Sequence, residues 1–96
     1  MRRPELRSRF RRDLKHADKG IYSSLLRKGG ELDRVIIMLA SNTPLPAKYR
    51  DHALHGGWEG SRECHIRPDL LLVYRYEGDD VLVLERLGSH AELFGM

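Results

Sequence analysis

The run LLLVYRY at residues 70–76, the tetrapeptide EGDD and the run VLVLER at 81–86 leave this chain few folds to choose from. Two segments rich in valine, leucine and tyrosine flank a Gly-Asp-Asp turn, the pattern of a β-hairpin. The first run is apolar at consecutive positions, so side chains on both of its faces need cover. It therefore belongs in the middle of a sheet, with packing layers above and below. In a chain of 96 residues, nearly every other apolar side chain is needed to build those layers.

The rest of the chain supplies the partners. SRECHIR (61–67) alternates, with Cys64 and Ile66 on one face and Glu63, His65 and Arg67 on the other, and Pro68-Asp69 turns it into the hairpin. In ELDRVIIMLAS (31–41), Leu32, Val35, Ile36 and Leu39 follow the i, i+3, i+4, i+7 spacing of a core-facing helical stripe. Two prolines in SNTPLP then force an extended connector. Near the start, ELRSRF (5–10) alternates like a short edge strand. It merges into a helix with Ser8 as N-cap and Phe10, Leu14 and Ala17 on one face. That helix continues brokenly through IYSSLLRK until Gly29-Gly30 stops it, and SHAELFG (89–95) reads as one helical turn. The expected fold is α+β in the order β-α-α-β-β-β: two N-terminal helices on a small antiparallel sheet, one domain spanning 1–96.

Charge narrows the partners. The net charge of +3 hides an asymmetry, because residues 1–30 hold ten Lys/Arg against three Asp/Glu. Such an end favours an anionic partner, nucleic acid or an acidic protein, or else forms a solvated arginine-rich helix face. No apolar run is long enough to cross a bilayer, and no apolar signal region opens the chain. A single cysteine, Cys64, leaves no internal disulfide and fits a reducing cytoplasm, the expected location.

Chemistry-bearing residues concentrate in YRDHALHGGWEGSRECHIRPD, Tyr49 to Asp69. Zinc needs ligands converging on one point. Cys64 and His65 are neighbours on a strand and point to opposite faces, while the His52/His55 pair lacks a second matching pair. The spacing therefore speaks against a metal, and no cofactor is expected. Acid–base chemistry fits better. Histidine titrates near neutrality and can take a proton in one step and return it in another. RNA cleavage by the ribose 2′-OH needs a base, an acid and a cation for the phosphorane, with a guanidinium suited to the last. His52, His65, Asp69, Arg86, His90 and Phe94 supply those types. Each also has a bland reading: His52 and His55 as solvated loop residues, His65 as an exposed strand residue, and Asp69 as a turn former. Arg86 would then pair with Glu85 or Glu92, and Phe94 would cap the core. Simple alternation puts Arg86 in phase with Leu82 and Leu84, so the strand must twist or end for Arg86 to reach a cleft.

At these residues the sequence resembles the YafQ-type branch of the RelE/ParE superfamily of bacterial toxins. The likeness covers roughly residues 43–95 through the YRDH loop, GxWxGxRxxH, xPDxxLxY and the closing RxGxHxxLF, in that order. It implies an α+β toxin of a type II toxin–antitoxin system that cuts mRNA on the ribosome without metal. A co-expressed antitoxin would silence it, as a hetero-oligomer whose toxin is monomeric when free. Carried over, His90 is the general acid at the 5′-oxygen and Asp69 or His65 the base. Arg86 stabilises the phosphorane, His52 orients the phosphate, and Phe94 stacks on the message. Lys48, just before the YRDH loop, and Arg50, within it, are expected substrate contacts. Leu70 stands where relatives often carry an aromatic, and Trp58 is expected to anchor its loop beneath the sheet. Two rivals remain: a ParE-like toxin acting on gyrase, and a small basic RNA-binding module without chemistry.

Overall fold

The computed structural model describes residues 1–95. Five strands form one sheet: β1 (Arg3–Leu6), β2 (His52–Ala53), β3 (Arg62–Arg67), β4 (Leu70–Glu77) and β5 (Val81–Gly88), in the spatial order β1-β5-β4-β3-β2. The doubly apolar run is β4, and it lies at the centre. Helices α1 (Ser8–Ala17) and α2 (Glu31–Ala40) cover one face. There Phe10, Leu32, Val35 and Leu39 meet Cys64, Leu72, Tyr74, Leu82 and Leu84. On the opposite face, Leu71 and Val73 pack under Leu93 of α3 (His90–Phe94), with Leu54, Trp58 and Phe94 at the margin.

The sheet is mixed rather than antiparallel. β1 pairs with β5 in parallel, Arg3 opposite Val81 through Leu6 opposite Leu84, while the other pairings are antiparallel. Closing a parallel pair needs a long crossover, and the whole of α1, α2 and the two hairpins separates these strands. The helical expectations hold with two adjustments. The N-cap of α1 is Arg7, without a side-chain cap, so Ser8 is the first helical residue. The broken continuation is a separate 3-10 turn at Ser23–Leu26. Gly29 takes a left-handed φ of 78°, and a Cβ at Gly30 would lie 2.7 Å from the Leu25 carbonyl oxygen, so the stop requires glycine.

Two bulges decide which side chains face the site. Val73 pairs with Arg86 and Tyr74 with Leu84, leaving Glu85 as the extra residue. This shifts the phase of β5, and Arg86 leaves the face of Leu82 and Leu84. A second irregularity, between His65 and Arg67, turns Arg67 away from Glu63 and His65. Its Nη1 lies 2.5 Å from Oε1 of buried Glu31 on α2. The expectation that Arg67 shares their face is thereby corrected.

Cys64 and Ile66 point into the helix-facing core as expected. Burial pushes the Cys64 thiol up to about 12. The folded protein should resist alkylation by iodoacetamide near pH ~8 and react fully once unfolded in guanidinium, as read by mass spectrometry. Native labelling at the rate of a free thiol would mean that β3 opens its core face.

Candidate active site

The register lines up one row of side chains across the second face. His52 on β2 pairs with Glu63 on β3, Glu63 with Val73 on β4, and Val73 with Arg86 on β5. His65 pairs with Leu71 and Leu71 with Gly88, forming the next row. Adjacent strands lie about 4.8 Å apart, so the backbone of Arg86 sits roughly 10 Å from that of Glu63. A Cβ at Gly88 would come within 3.0 Å of Glu92 Oε1 and 3.3 Å of Leu93 Cδ2. The Glu92 and Leu93 side chains of α3 thus pack closely over Gly88.

Glu63, buried at 3% exposure, is the centre of the site. Its Oε2 lies 3.0 Å from His52 Nε2, 3.4 Å from His65 Nε2 and 3.8 Å from His90 Nε2. The ring centroids of His52 and His65 are 6.1 Å apart, and those of His65 and His90 6.3 Å. His52 Nδ1 is 2.7 Å from the Arg50 carbonyl oxygen, which can only accept. Its two ring nitrogens therefore face oxygen atoms of the Arg50 carbonyl and the Glu63 carboxylate, which fix the plane of the ring. Arg50 itself is left-handed (φ 49°, ψ 44°), reversing the chain into the His52 loop. Asp51 pins that loop from below by accepting from the Tyr74 hydroxyl and from Arg62 Nε at 3.3 Å. Burial is the first cause that raises the Tyr74 pKa, so its hydroxyl stays a donor.

His90 comes from α3, whose start is fixed by a reciprocal capping box. Glu92 N–H donates to Ser89 Oγ at 3.1 Å, and Ser89 N–H donates to Glu92 Oε1 at 2.8 Å. The Ser89 backbone bond is the main cause that holds the Glu92 carboxyl below its ordinary value. The i, i+4 spacing brings the Phe94 ring to 5.3 Å from His90, and Trp58 meets Phe94 edge-on at 5.5 Å. Together with His52, Glu63 and His55, these rings line a cleft of about 530 Å³. Trp58 thus anchors its loop on the Leu71–Val73 cluster and also forms a wall of the cleft.

The other expected residues lie around this centre rather than in it. Lys48 and Arg50 line a separate groove of about 490 Å³ with Tyr49, Arg67, Glu31 and His65. Asp69 accepts from the Tyr22 hydroxyl and, among the described residues, has no hydrogen bond with the three imidazoles. Arg86 pairs with Asp13 of α1 rather than with Glu85 or Glu92. Leu70 is buried in the helix-facing core, so no ring at this position reaches the cleft.

Glu63 went unread in the sequence, although it shares the strand face of His65 at a spacing of two. It also changes the metal question. Cys64 does face away, yet His52, Glu63 and His65 each offer a ligand atom, all within 4.8 Å of one another. The cross-strand pairing creates a donor set that linear spacing conceals. Two nitrogens and a carboxylate oxygen suit zinc or copper, and the Nδ1 contact of His52 is the kind of outer partner that orients a ligating imidazole.

Comparison with known proteins places the chain in a family. Residues 2–95 match the model of a family described as the bacterial toxin of type II toxin–antitoxin system, YafQ. The mRNA interferase toxin YafQ of Escherichia coli (strain B / BL21-DE3) is 39% identical over 92 residues, 95% of this chain and 94% of its own. The crystal structure of the E. coli DinJ–YafQ complex contains a chain 38% identical, with TM-score 0.82, covering 99% of this chain and all of that one. A copper-bound mutant toxin from Helicobacter pylori is 43% identical with TM-score 0.84, covering 98% of this chain and all of its own. Helices α1 and α2 on one face of a five-stranded mixed sheet are thus the build of a type II toxin. Within that class, the chain belongs to the YafQ family.

Proposed function

We propose that this chain, acting as a single domain over 1–96, is a metal-independent endoribonuclease of RelE-like build that cuts mRNA on the ribosome. The observation that carries this reading is the gathering of His52, His65 and His90 around buried Glu63, which lines a cleft walled by Trp58 and Phe94. His65 takes the proton of the ribose 2′-OH as that oxygen attacks phosphorus, giving a 2′,3′-cyclic phosphate. The bond from phosphorus to the 5′-oxygen breaks, and His90 delivers a proton to the departing oxygen. His52, fixed at Nδ1 by the Arg50 carbonyl, turns its Nε2 from Glu63 to the phosphate, and Arg86 carries the phosphorane's charge. Phe94 and Trp58 stack bases, and Lys48 and Arg50 meet a flanking phosphate. Asp69 is the alternative base, available once it leaves Tyr22.

The DinJ complex of the E. coli relative supports a protein antitoxin as partner, giving a hetero-oligomer, with this chain monomeric when free. The exposed Arg9, Arg11, Arg12 and Lys15 of α1 suit ribosomal RNA. No described helix is long and apolar enough to span a membrane, and the cytoplasm is the expected site of action.

Primer extension on messages from cells expressing the chain should find breaks inside translated frames. Protein stripped of transition metals and then added to ribosomes should cut at an unchanged rate. Excess Cu²⁺ should inhibit, because an ion on His52, Glu63 and His65 occupies the nitrogens that move or orient protons. Stripped protein that is inactive until metal is restored would overturn metal independence. Intact messages in arrested cells would favour the gyrase-directed reading instead.

A further inference from the structure

The short β1 ends at Leu6 opposite Leu84, so the last half of β5 would be an open sheet edge. Helix α1 follows directly and lies along that edge. Its Asp13 accepts from Leu87 N–H at 3.0 Å, from Arg86 Nε at 2.7 Å and from Arg86 Nη2 at 3.2 Å. The carboxylate and the guanidinium are both largely removed from water, at 17% and 19% side-chain exposure. The hydrogen bonds that Arg86 donates to Asp13 are the first cause that raises its pKa.

We propose that Asp13 is the positioning residue for Arg86: it grips the side edge of the guanidinium so that the Nη1–Nη2 end edge is presented to the scissile phosphate. This rests on the ribonuclease reading above, in which Arg86 meets the phosphorane. Arg86 needs such a grip. Glu85, the extra residue of the bulge, points it away from the helix-facing core, and an unpinned arginine would sample many rotamers. With Nε and one hydrogen of Nη2 engaged, the planar fork is fixed, and Nη1 makes no hydrogen bond among the described residues. Arg86 lines a groove of about 290 Å³ with Ser8, Trp58 and Glu85. Trp58 connects this groove to the ring of Phe94 and so to the histidine cleft. The remaining N–H pair matches two phosphate oxygens. A second strap runs parallel, since His16 Nε2 of α1 lies 3.1 Å from Glu92 Oε2 of α3.

The test is a double-mutant cycle. Asp13→Ala and Asp13→Asn should each lower kcat for ribosome-bound mRNA by about 10- to 100-fold with KM nearly unchanged, since misplacing a reacting group by about 1 Å can cost that much. In an Arg86→Ala background, neither substitution should cost anything more. An equal loss in both backgrounds would mean that Asp13 serves only the β5 edge, and the proposal would fail. So would an unchanged kcat in Asp13→Asn, which keeps an oxygen for Leu87 N–H and guards against misfolding of the alanine variant. The Arg86 Nε–H resonance gives a readout free of activity: slow hydrogen exchange in the wild type and fast exchange in Asp13→Ala, because Oδ2 accepts both Arg86 Nε–H and Leu87 N–H. If the wild type never cuts mRNA, the ribonuclease reading falls, while an Nε–H signal identical in both proteins would overturn the Asp13 grip itself.

Discussion

Replacing His90 by alanine is expected to slow mRNA cleavage by a factor on the order of 10²–10⁴, the usual worth of one positioned general acid. The protein should remain folded. His90 is the first residue of α3, about half its side chain is exposed, and the turn is held by Ser89 and Glu92 rather than by the imidazole. Alanine is also the best helix former for that position. The loss should appear in a single-turnover assay at saturating toxin, with circular dichroism and ribosome binding unaltered. Cells expressing His90→Ala should grow through induction. A rate within about threefold of wild type would remove His90 from the acid role, because an acid that can be deleted at that cost is not delivering the proton.

How far the sequence carried differs by element, for physical reasons. Periodicity located the central strand and the stripe of α2, because burial on a given face is a local property of side-chain spacing. The parallel pairing of β1 with β5 was hidden, since it joins residues about 80 positions apart and leaves no local pattern. Bulges cost the most. Simple alternation sent Arg86 into the core and put Arg67 beside His65, and in both cases one extra residue reversed the outcome. Of the candidate site, the structure brings His52, His90 and Phe94 to one cleft, His65 to the Glu63 carboxylate at its back and Arg86 to the same row of the sheet as His52 and Glu63. Asp69, Lys48 and Arg50 stand outside that cleft. Glu63 and Asp13 were missed for one shared reason. A carboxylate reads as a solvent-facing residue unless its partners are known, and these partners come from other elements of the chain.

Substituting Glu63 by glutamine is expected to separate stability from activity. The native carboxylate is 3% exposed, its Oε2 serves His52 and His65, and its Oε1 is buried without a hydrogen-bond partner. Removing a carboxylate from water costs several kcal/mol, repaid only in part when one oxygen lacks a donor. Glutamine keeps the shape and removes the charge, so folding stability should change by no more than about 1 kcal/mol, or rise. That corresponds to a Tm shift within roughly 4–8 °C for a domain this small. Cleavage should nevertheless fall by a factor on the order of 10²–10⁴, as when a catalytic imidazole loses the carboxylate that sets its orientation and tautomer. Copper affinity should fall as well, because one of the three ligands is gone. Two results would sink this account: a glutamine variant that cuts normally, or one that unfolds far below wild type. The first would make Glu63 a bystander, and the second would make the histidine cluster a device for folding rather than for chemistry. Retained stability with lost cleavage would mean that the buried charge is held against its own cost for what it does to three imidazoles.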